Sequence, residues 1–446
     1  MKKVILSEFL DLVFESSSKD YSEWFGYYNY DTLDSTHKRL LCNRADFDGI
    51  KPNSELKIEL GYYDIVEKKW HHIDYTNSWN WQQGAMLQWV PGEGNNDTVI
   101  YNCTLDGHNK ARICDLSTGE KKQIDWSIYG ITSDGSKSIC LEMERSHWCR
   151  AYHYESVSNL EWEGRVIDGD GIFMLDLNNN TRTRIISIEE IIHTNFKTYF
   201  DKCKHWVEHI MISPSSKRFC FLHRFSPIDN VYKYETRLFI ADIDGHNLQL
   251  IPGWESFSWS HFGWKNDDEF VIYTQTPYRY SLNGKFLDFI RQRPIKFNKL
   301  FESIFYKTTG KLPYKVSKFL GGKKQIYQHY KMVNGCFQLV DEYGGKLLNI
   351  DGHPSFTLEG RYMITDSYPD NRRMQRLIVY DTVTKKSLLL GKFYAYYYRQ
   401  PSSCDLHPKL SRDNEYLVVD SAFDEKHHML VFKLNWQKIK DKISKE

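Results

Sequence analysis

A thiol, a carboxylate and an imidazole occur within four residues of one segment near the C-terminal end of the chain, Cys404-Asp405-Leu406-His407. A second histidine, His353, lies upstream, and a proline follows the histidine in both segments. After each His-Pro pair the chain continues with a polar turn and an alternating apolar run that ends in aspartate, at Asp366 and Asp420. Imidazole and carboxylate groups suit Mn²⁺, Fe²⁺ or Zn²⁺, and an inward-pointing Cys404 would favour zinc. The similar sequence pattern around the two histidines predicts that each lies at an equivalent point near a common centre.

Other residues share these chemical properties and could converge on the same centre. His261 stands before the turn at 265–268, which is the position that His353 and His407 hold in their own units. The remaining candidates for contacts with a ligand are Arg145, His209, His223 and Arg237. For any one histidine a structural hydrogen bond is the alternative explanation, and for Arg145 it is a surface role. Three histidines in one phase of a repeat favour a shared site.

The elements that must position these residues form a repeated unit. The unit is a strand that ends in aspartate, a polar hairpin turn and a second strand, as in the segments 61–73, 111–124, 171–186, 237–250 and 377–390. A further strand often precedes it, for example at 98–101 and 218–222. Repeats of four short strands are typical of a β-propeller, in which loops from all blades meet at the end of a central channel. We expect a single all-β domain over residues 1–446 with about seven blades; a stacked sandwich is the alternative.

Two segments interrupt the repeat. Residues 188–192 have the character of a short helix between blades. Residues 278–325 are rich in lysine and arginine and carry apolar residues at partly helical spacing, which predicts a basic, partly helical insertion. A lid or surface excursion packed on its own blade is one reading of this insertion. A cationic rim for an anionic polymer, a membrane surface or nucleic acid is the other, although no nucleic-acid-binding motif is present.

Composition indicates a globular protein rather than a membrane or fibrous one. Hydrophobic residues make up 41% and charged residues 26% of the 446 residues, and the net charge of +1 implies no electrostatic steering of a charged partner. No apolar run reaches the length of a membrane span, and Glu8 and Asp11 interrupt the apolar start at Met1. The nine cysteines include no CxxC pair, so we expect reduced thiols and a cytoplasmic protein.

The second half of the chain resembles the oligogalacturonate lyases, the propeller enzymes of polysaccharide lyase family 22. The resemblance is diffuse over most of the propeller. It is sharpest in four segments: His223 with the following 236–240, Ser260-His261-Phe262-Gly263-Trp264, His353, and His407-Pro408.

The resemblance implies a role for several residues. In that family three histidines and a glutamine hold a divalent metal, typically manganese, and a further histidine acts as the base beside an arginine. By position, His261 resembles the base, Arg237 the arginine, and His353 and His407 two of the metal ligands. Asp405 stands where the family has its third histidine. The glutamine falls near Ser402, with Gln400 as a nearby substitute.

The implied reaction is β-elimination at a uronic acid. Removing the proton α to the carboxylate requires a base, and a metal with an arginine would stabilise the developing enolate-like charge. We therefore expect a lyase that acts on anionic, uronic-acid-containing oligosaccharides, with Mn²⁺ as cofactor and Zn²⁺ or Fe²⁺ as alternatives. A glycan-binding or protein-interaction propeller without catalysis is the other hypothesis, because one fold hosts many functions. No pair of carboxylates suggests an ordinary glycoside hydrolase.

Overall fold

The chain forms seven β-sheets arranged as the blades of a propeller, as the repeat predicts. We describe a computed structural model that covers residues 3–16, 18–149, 154, 157, 160–227, 234–275, 325–397 and 401–445. The basic insertion expected at 278–325 lies outside these residues except for Gln325, which begins a strand. No helix among the described residues has the length and apolar character needed to cross a bilayer.

The chain begins with two strands that join the last blades. They are β1 (Val4–Leu6) and β2 (Leu10–Glu15). Blades 1 to 3 follow in chain order, each with four antiparallel strands. Blade 1 contains β3 (Ser22–Trp24), β4 (Arg39–Ala45), β5 (Ile58–Asp64) and β6 (Lys69–Thr76). Blade 2 contains β7 (Gln88–Trp89), β8 (Thr98–Leu105), β9 (His108–Asp115) and β10 (Lys121–Ile124). Blade 3 contains β11 (Gly130–Ile131), β12 (Lys137–Cys140), β13 (Gly171–Asp176) and β14 (Thr181–Ser187).

Blades 4 to 7 complete the ring. Blade 4 contains β15 (Cys203–Ile212), β16 (Arg218–Pro227), β17 (Glu235–Asp242) and β18 (Gln249–Leu250). Blade 5 contains β19 (Ser258–Asn266), β20 (Glu269–Gln275), β21 (Gln325–Val333) and β22 (Cys336–Tyr343). Blade 6 contains β23 (Ser355–Phe356), β24 (Tyr362–Asp366), β25 (Met374–Asp381) and β26 (Lys386–Tyr394). Blade 7 contains β27 (Lys409–Leu410), β28 (Tyr416–Ser421) and β29 (His428–Leu434).

The helices of the described residues are short and lie within blade 3, between blades 3 and 4, and after blade 7. They are α1 (Met143–Cys149), α2 (Ile188–His193) and α3 (Trp436–Lys445), with 3₁₀ turns at Leu160–Trp162 and Thr198–Lys202. The helix expected at 188–192 is therefore confirmed. Its first turn is capped by Ser187, whose hydroxyl accepts a hydrogen bond from the Glu190 amide. All nine cysteines are free thiols and all but Cys336 are buried, which confirms the expectation of reduced core residues.

The aspartate at the end of so many strands has a local structural cause. The carboxylates of Asp64, Asp115, Asp176 and Asp381 each accept hydrogen bonds from backbone amides of the turn that follows. Such side-chain bonds imitate a backbone turn and favour a tight hairpin. The recurrent aspartate therefore marks hairpins between the outer strands of the blades, and it is separate from the chemistry of the centre.

The ring closes by joining the two ends of the chain. Strand β2 adds to the outer edge of blade 7, which otherwise has only three strands, and β1 adds a fifth strand to blade 6. Phe14 in β2 is buried, and its ring lies 5.1 Å from that of Tyr63 in blade 1. This N-terminal segment therefore connects blade 7 to blade 1 through apolar contacts as well as strand pairing.

Removing the Phe14 ring should weaken this closure. We predict that Phe14→Ala lowers the free energy of unfolding by about 3–5 kcal/mol, because a buried aromatic ring is replaced by a cavity. Chemical denaturation followed by tryptophan fluorescence measures the change. Val13→Ala is the matched control, since Val13 is 40% exposed on the same strand. Equal stabilities of the two variants would contradict a closing role for Phe14.

Candidate metal centre

Three histidines from consecutive blades meet at one end of the central channel. His261 lies in β19, while His353 and His407 each precede the first strand of blades 6 and 7 by two residues. The first strands of these blades lie side by side around the channel. The ring centroids of His261 and His353 are 4.0 Å apart, and those of His353 and His407 are 4.4 Å apart. The equivalent positions in the repeat thus become neighbours in space.

Two of these imidazoles present an unpartnered nitrogen inside the protein. The Nδ1 atom of His353 bonds to both carboxylate oxygens of Asp366, at 2.9 and 3.0 Å. The Nδ1 atom of His407 lies 2.5 Å from the carbonyl oxygen of Gly26. Because both partners are acceptors, each Nδ1 carries the hydrogen and each Nε2 keeps a lone pair. Both Nε2 atoms are buried without a hydrogen-bond partner.

Asp405 completes a group of three potential ligands. His353, Asp405 and His407 each offer one donor atom, and these atoms lie within 4.8 Å of one another. Two ligands on opposite sides of a zinc-like ion would be about 4.2 Å apart, so small side-chain movements would close the group around one ion. Two neutral imidazoles with one carboxylate is a donor set that Mn²⁺, Fe²⁺ and Zn²⁺ accept. The residues present therefore fit a divalent cation.

The electrostatics of the centre also favour a cation. Burial, together with the nearby carboxylate of Asp366, raises the pKa of Asp405 to about 7. Burial likewise raises the pKa of Asp366, although His407 and the His353 amide oppose the shift. Burial lowers the pKa of His353 and His407 well below the usual range, and the adjacent imidazoles add to that effect. Because burial makes the ionised form of both carboxylates costly, a bound cation would stabilise them.

Asp366, at the end of β24, fixes the positions of the ligands. Its Oδ1 atom accepts a hydrogen bond from the His353 amide at 2.7 Å as well as from the ring. Its Oδ2 atom accepts a hydrogen bond from the amide of Leu406, between Asp405 and His407, at 3.1 Å. One buried carboxylate therefore holds the loops that carry all three ligands and sets the tautomer of His353.

His261 belongs to an adjacent group with different partners. Its Nδ1 atom lies 3.0 Å from Oδ1 of Asp351, and its Nε2 atom lies 3.5 Å from the hydroxyl of Tyr368. Burial alone would lower the pKa of His261, but the carboxylates of Asp351, Asp405 and Asp366 outweigh that effect and raise it. The Asp351 carboxylate directs the hydrogen to Nδ1, which leaves Nε2 as a proton acceptor.

An aromatic excursion from blade 1 forms the floor of the centre. Trp24 pairs with Asn43 in β4, and the Leu41 amide then bonds to the carbonyl of Thr32, so residues 25–31 loop out of the blade. The Tyr27 ring lies 5.0 Å from that of His407 and 5.5 Å from that of His209. The Tyr28 ring lies 5.1 Å from that of His353. This segment was not predicted from the sequence; its signal is the aromatic run Phe25-Gly26-Tyr27-Tyr28.

A cavity of about 450 Å³ occupies the channel beyond this floor. Its lining includes Tyr28 and residues from inner strands of several blades, such as Trp89, Trp264 and Phe356. None of the three potential metal ligands lines it. Tyr28 therefore contacts both the cavity and the histidine centre.

Arg237 and His223 occupy the interior of blade 4. The Arg237 guanidinium donates hydrogen bonds to the carbonyls of Thr194 and Ile191 and, through Nε, to Nδ1 of His223 at 3.0 Å. The Nε2 atom of His223 lies 3.1 Å from Nδ1 of His205. Arg237 and His223 are 0% exposed. In this structure the Arg237 guanidinium is engaged by His223 and by two backbone carbonyls within blade 4, and its expected role beside the base stays a prediction.

Arg145 also has a structural position. It is buried in α1, and its guanidinium donates hydrogen bonds to four carbonyl groups, those of Trp162, Gly164, Arg165 and His205. These bonds connect the helix to blade 4. The expected contact of Arg145 with a substrate in the channel is thus replaced by contacts with the backbone.

The remaining expected site residues lie in three different situations. Cys404 is outside the group of three ligands; its thiol donates to the Asp405 carbonyl at 3.6 Å, and burial raises its pKa, which disfavours the thiolate that a metal would require. His209 lies at the edge of the centre, beside Tyr27 and 3.3 Å from Oε2 of Glu208. Gln400 lies outside the described residues.

Comparison with known proteins supports the fold assignment. No protein-family model matches the chain, and no curated protein sequence matches it. Among solved structures, an oligogalacturonate lyase in complex with manganese is similar with a TM-score of 0.59 and 15% identity, over 98% of both chains. The oligogalacturonate lyase of Vibrio parahaemolyticus is similar with a TM-score of 0.55 and 13% identity, over 96% of this chain and 97% of that one. The chain therefore has the seven-bladed fold of these lyases.

The cluster predicts a defined metal stoichiometry. We expect one Mn²⁺ or Zn²⁺ per chain in metal analysis of the purified protein, and loss of that ion in His353→Ala and His407→Ala, because each removes a buried ligand. His246→Ala is the control, since the His246 side chain is 80% exposed. Retention of the ion by either cluster variant would contradict the site.

Because Asp366 orients the potential ligands and does not itself bind the ion, its substitution should weaken metal binding less than loss of a ligand does. Asp366→Asn should weaken metal affinity by about 10–100-fold. The asparagine amide has only one acceptor oxygen in place of two, so it no longer fixes the tautomer of His353 in the same way. Calorimetric titration measures the dissociation constant. Asp176→Asn, in an exposed hairpin, serves as the control. An unchanged affinity in Asp366→Asn would show that the ligands hold their positions without it.

Proposed function

We propose that this protein is a metal-dependent lyase that cleaves uronic-acid-containing oligosaccharides by β-elimination. The observation that carries the proposal is the pair of buried, unpartnered Nε2 atoms of His353 and His407 beside Asp405, with the Asp351-oriented His261 next to them. This arrangement combines a cation site with a base, the two elements that the reaction requires. The shared fold with manganese-bound oligogalacturonate lyase supports the same reaction class.

The chain supplies three residues to hold the cofactor. His353, Asp405 and His407 would bind the cation, with Mn²⁺ as the first candidate and Zn²⁺ or Fe²⁺ as alternatives. When bound, the cation would neutralise the uronate carboxylate and lower the energy of the enolate-like charge that forms on it. Asp366 and the Gly26 carbonyl hold the two imidazoles in the orientation that this binding needs.

His261 is the base of the proposed reaction. Its Nε2 atom would accept the proton α to the carboxylate, since Nδ1 already donates to Asp351. The Asp351 carboxylate then stabilises the imidazolium that forms, in the way that a carboxylate supports histidine bases elsewhere. The centroid distance of 4.0 Å between His261 and His353 keeps the base next to the group that would bind the substrate carboxylate.

The substrate class follows from the charge of the centre. A cation at this position provides a partner for an anionic sugar, and the buried, stacked rings of His209 and Tyr27 lie beside it. We propose an anionic oligosaccharide as the substrate. The free cysteines are compatible with a reducing compartment, and we propose the cytoplasm as the location.

An ultraviolet assay tests the proposal, because β-elimination leaves a double bond conjugated to the carboxylate. With added Mn²⁺, the wild-type protein should release unsaturated product from at least one member of a panel of oligouronides. His261→Ala should reduce kcat by about 100-fold or more, because the base is lost. The variant should still bind the metal, because no metal ligand is removed. His246→Ala should match the wild type. If the wild-type protein binds no metal and converts no oligouronide, the result would favour the hypothesis of a non-catalytic propeller.

A further inference from the structure

We propose that Tyr368 is the general acid of this site and that the site removes the proton and the leaving oxygen from the same face of the sugar. The inference rests on the proposed lyase function. It adds the proton donor that the departing oxygen requires, and it selects among uronic acids by the orientation of the oxygen at C4.

Tyr368 is held beside the base by the backbone of its own blade. It follows β24 by two residues, and its amide donates a hydrogen bond to the carbonyl of Asp351 at 2.8 Å. The side chain of Asp351 in turn binds His261. The Tyr368 hydroxyl therefore faces Nε2 of His261 at 3.5 Å, at the long end of the hydrogen-bond range. Catalytic hydrogen bonds often have this length before the substrate is present.

Tyr368 is less buried than His353 and His407 and is separate from the potential cation ligands. Its residue is partly exposed, in contrast to His353 and His407, which are buried. Its ring meets those of His261 and His353 edge to face, at 5.7 and 6.0 Å between centroids. The phenol thus lies beside His261, an imidazole that is not among the proposed cation ligands.

The two side chains close a balanced proton cycle. Nε2 of His261 takes the proton from C5 of the uronate, the electron pair of that C–H bond forms the C4–C5 double bond, and the C4–O bond breaks. The departing oxygen takes the phenolic proton of Tyr368 and leaves as an alcohol. The imidazolium of His261 then returns its proton to the phenolate across the 3.5 Å gap, which restores both groups. No further reactant is needed.

The short separation of the two groups determines the stereochemistry. Groups that contact opposite faces of a sugar ring would be about 7 Å apart, twice the usual contact distance between non-bonded atoms. At 3.5 Å, His261 Nε2 and the Tyr368 hydroxyl act on one face. In a glucuronate-configured ring the C5 proton and an equatorial oxygen at C4 lie on the same face. In galacturonate the axial oxygen at C4 lies opposite to that proton. The geometry therefore favours 4-linked glucuronate-type substrates.

Hydrogen exchange at C5 distinguishes an acid from a base. In D₂O, the metal-loaded Tyr368→Phe variant should lower kcat for elimination by about 100-fold or more, yet still incorporate deuterium at C5 of the recovered substrate. His261→Ala should lose both exchange and elimination. Tyr396→Phe is the control, because its hydroxyl bonds to Glu425 in the connection between β28 and β29 of blade 7, away from the histidine cluster. Metal content should be unchanged in Tyr368→Phe, which excludes loss of the centre as the cause.

The outcomes separate this inference from the proposed function. If the wild type cleaves an oligouronide and Tyr368→Phe cleaves it equally fast, or loses exchange together with elimination, Tyr368 is not the acid although the lyase assignment stands. Comparing 4-linked oligoglucuronate with oligogalacturonate at equal concentration tests the stereochemistry: a higher kcat/KM on oligoglucuronate supports action on one face, and a preference for oligogalacturonate overturns it. A wild type without activity on either class of substrate overturns the lyase assignment itself.

Discussion

The buried carboxylate of Asp366 is the contact on which the centre depends. It receives the ring and the amide of His353 and the amide of Leu406, and so it joins the loops that lead into blades 6 and 7. A buried carboxylate is stable only if its oxygens are satisfied, and here the satisfying groups belong to the segments that carry the potential ligands. The same bonds leave the Nε2 lone pair of His353 without a protein partner. Local stability and the capacity to bind a cation therefore have one origin.

The propeller turns a sequence repeat into a cluster. Each blade begins with a strand beside the channel, so residues at one phase of the repeat come together across gaps of more than fifty positions in the chain. The N-terminal strands support this geometry, since β2 completes blade 7 and β1 adds a fifth strand to blade 6, the two blades that carry the potential cation ligands. Because a propeller without closure can open between its first and last blades, the pairing of β2 with β29 also protects the spacing of His353 and His407. The excursion at 25–31 then fills the channel beneath them.

Much of this architecture could be predicted from the sequence, and the failures have physical reasons. The repeat identified the blades, and the shared phase of His261, His353 and His407 identified the centre. The role of Arg237 beside the base came from the resemblance, and strand pairing places this residue opposite His223 inside blade 4. Asp351, Asp366 and Tyr368 were missed because nothing in a linear sequence shows which carboxylate or phenol faces a given imidazole. Tyr27 and Tyr28 were missed because the departure of residues 25–31 from the blade is a tertiary event.

The most direct test of the account is anomalous diffraction from crystals of the full-length protein soaked in Mn²⁺, with data collected on both sides of the manganese absorption edge. The account predicts a single strong peak at the end of the channel, bonded at about 2.0–2.3 Å to Nε2 of His353, Nε2 of His407 and a carboxylate oxygen of Asp405. A map without a peak at these atoms, with both imidazoles hydrogen-bonded through Nε2 to other groups, would contradict the metal centre and with it the proposed reaction.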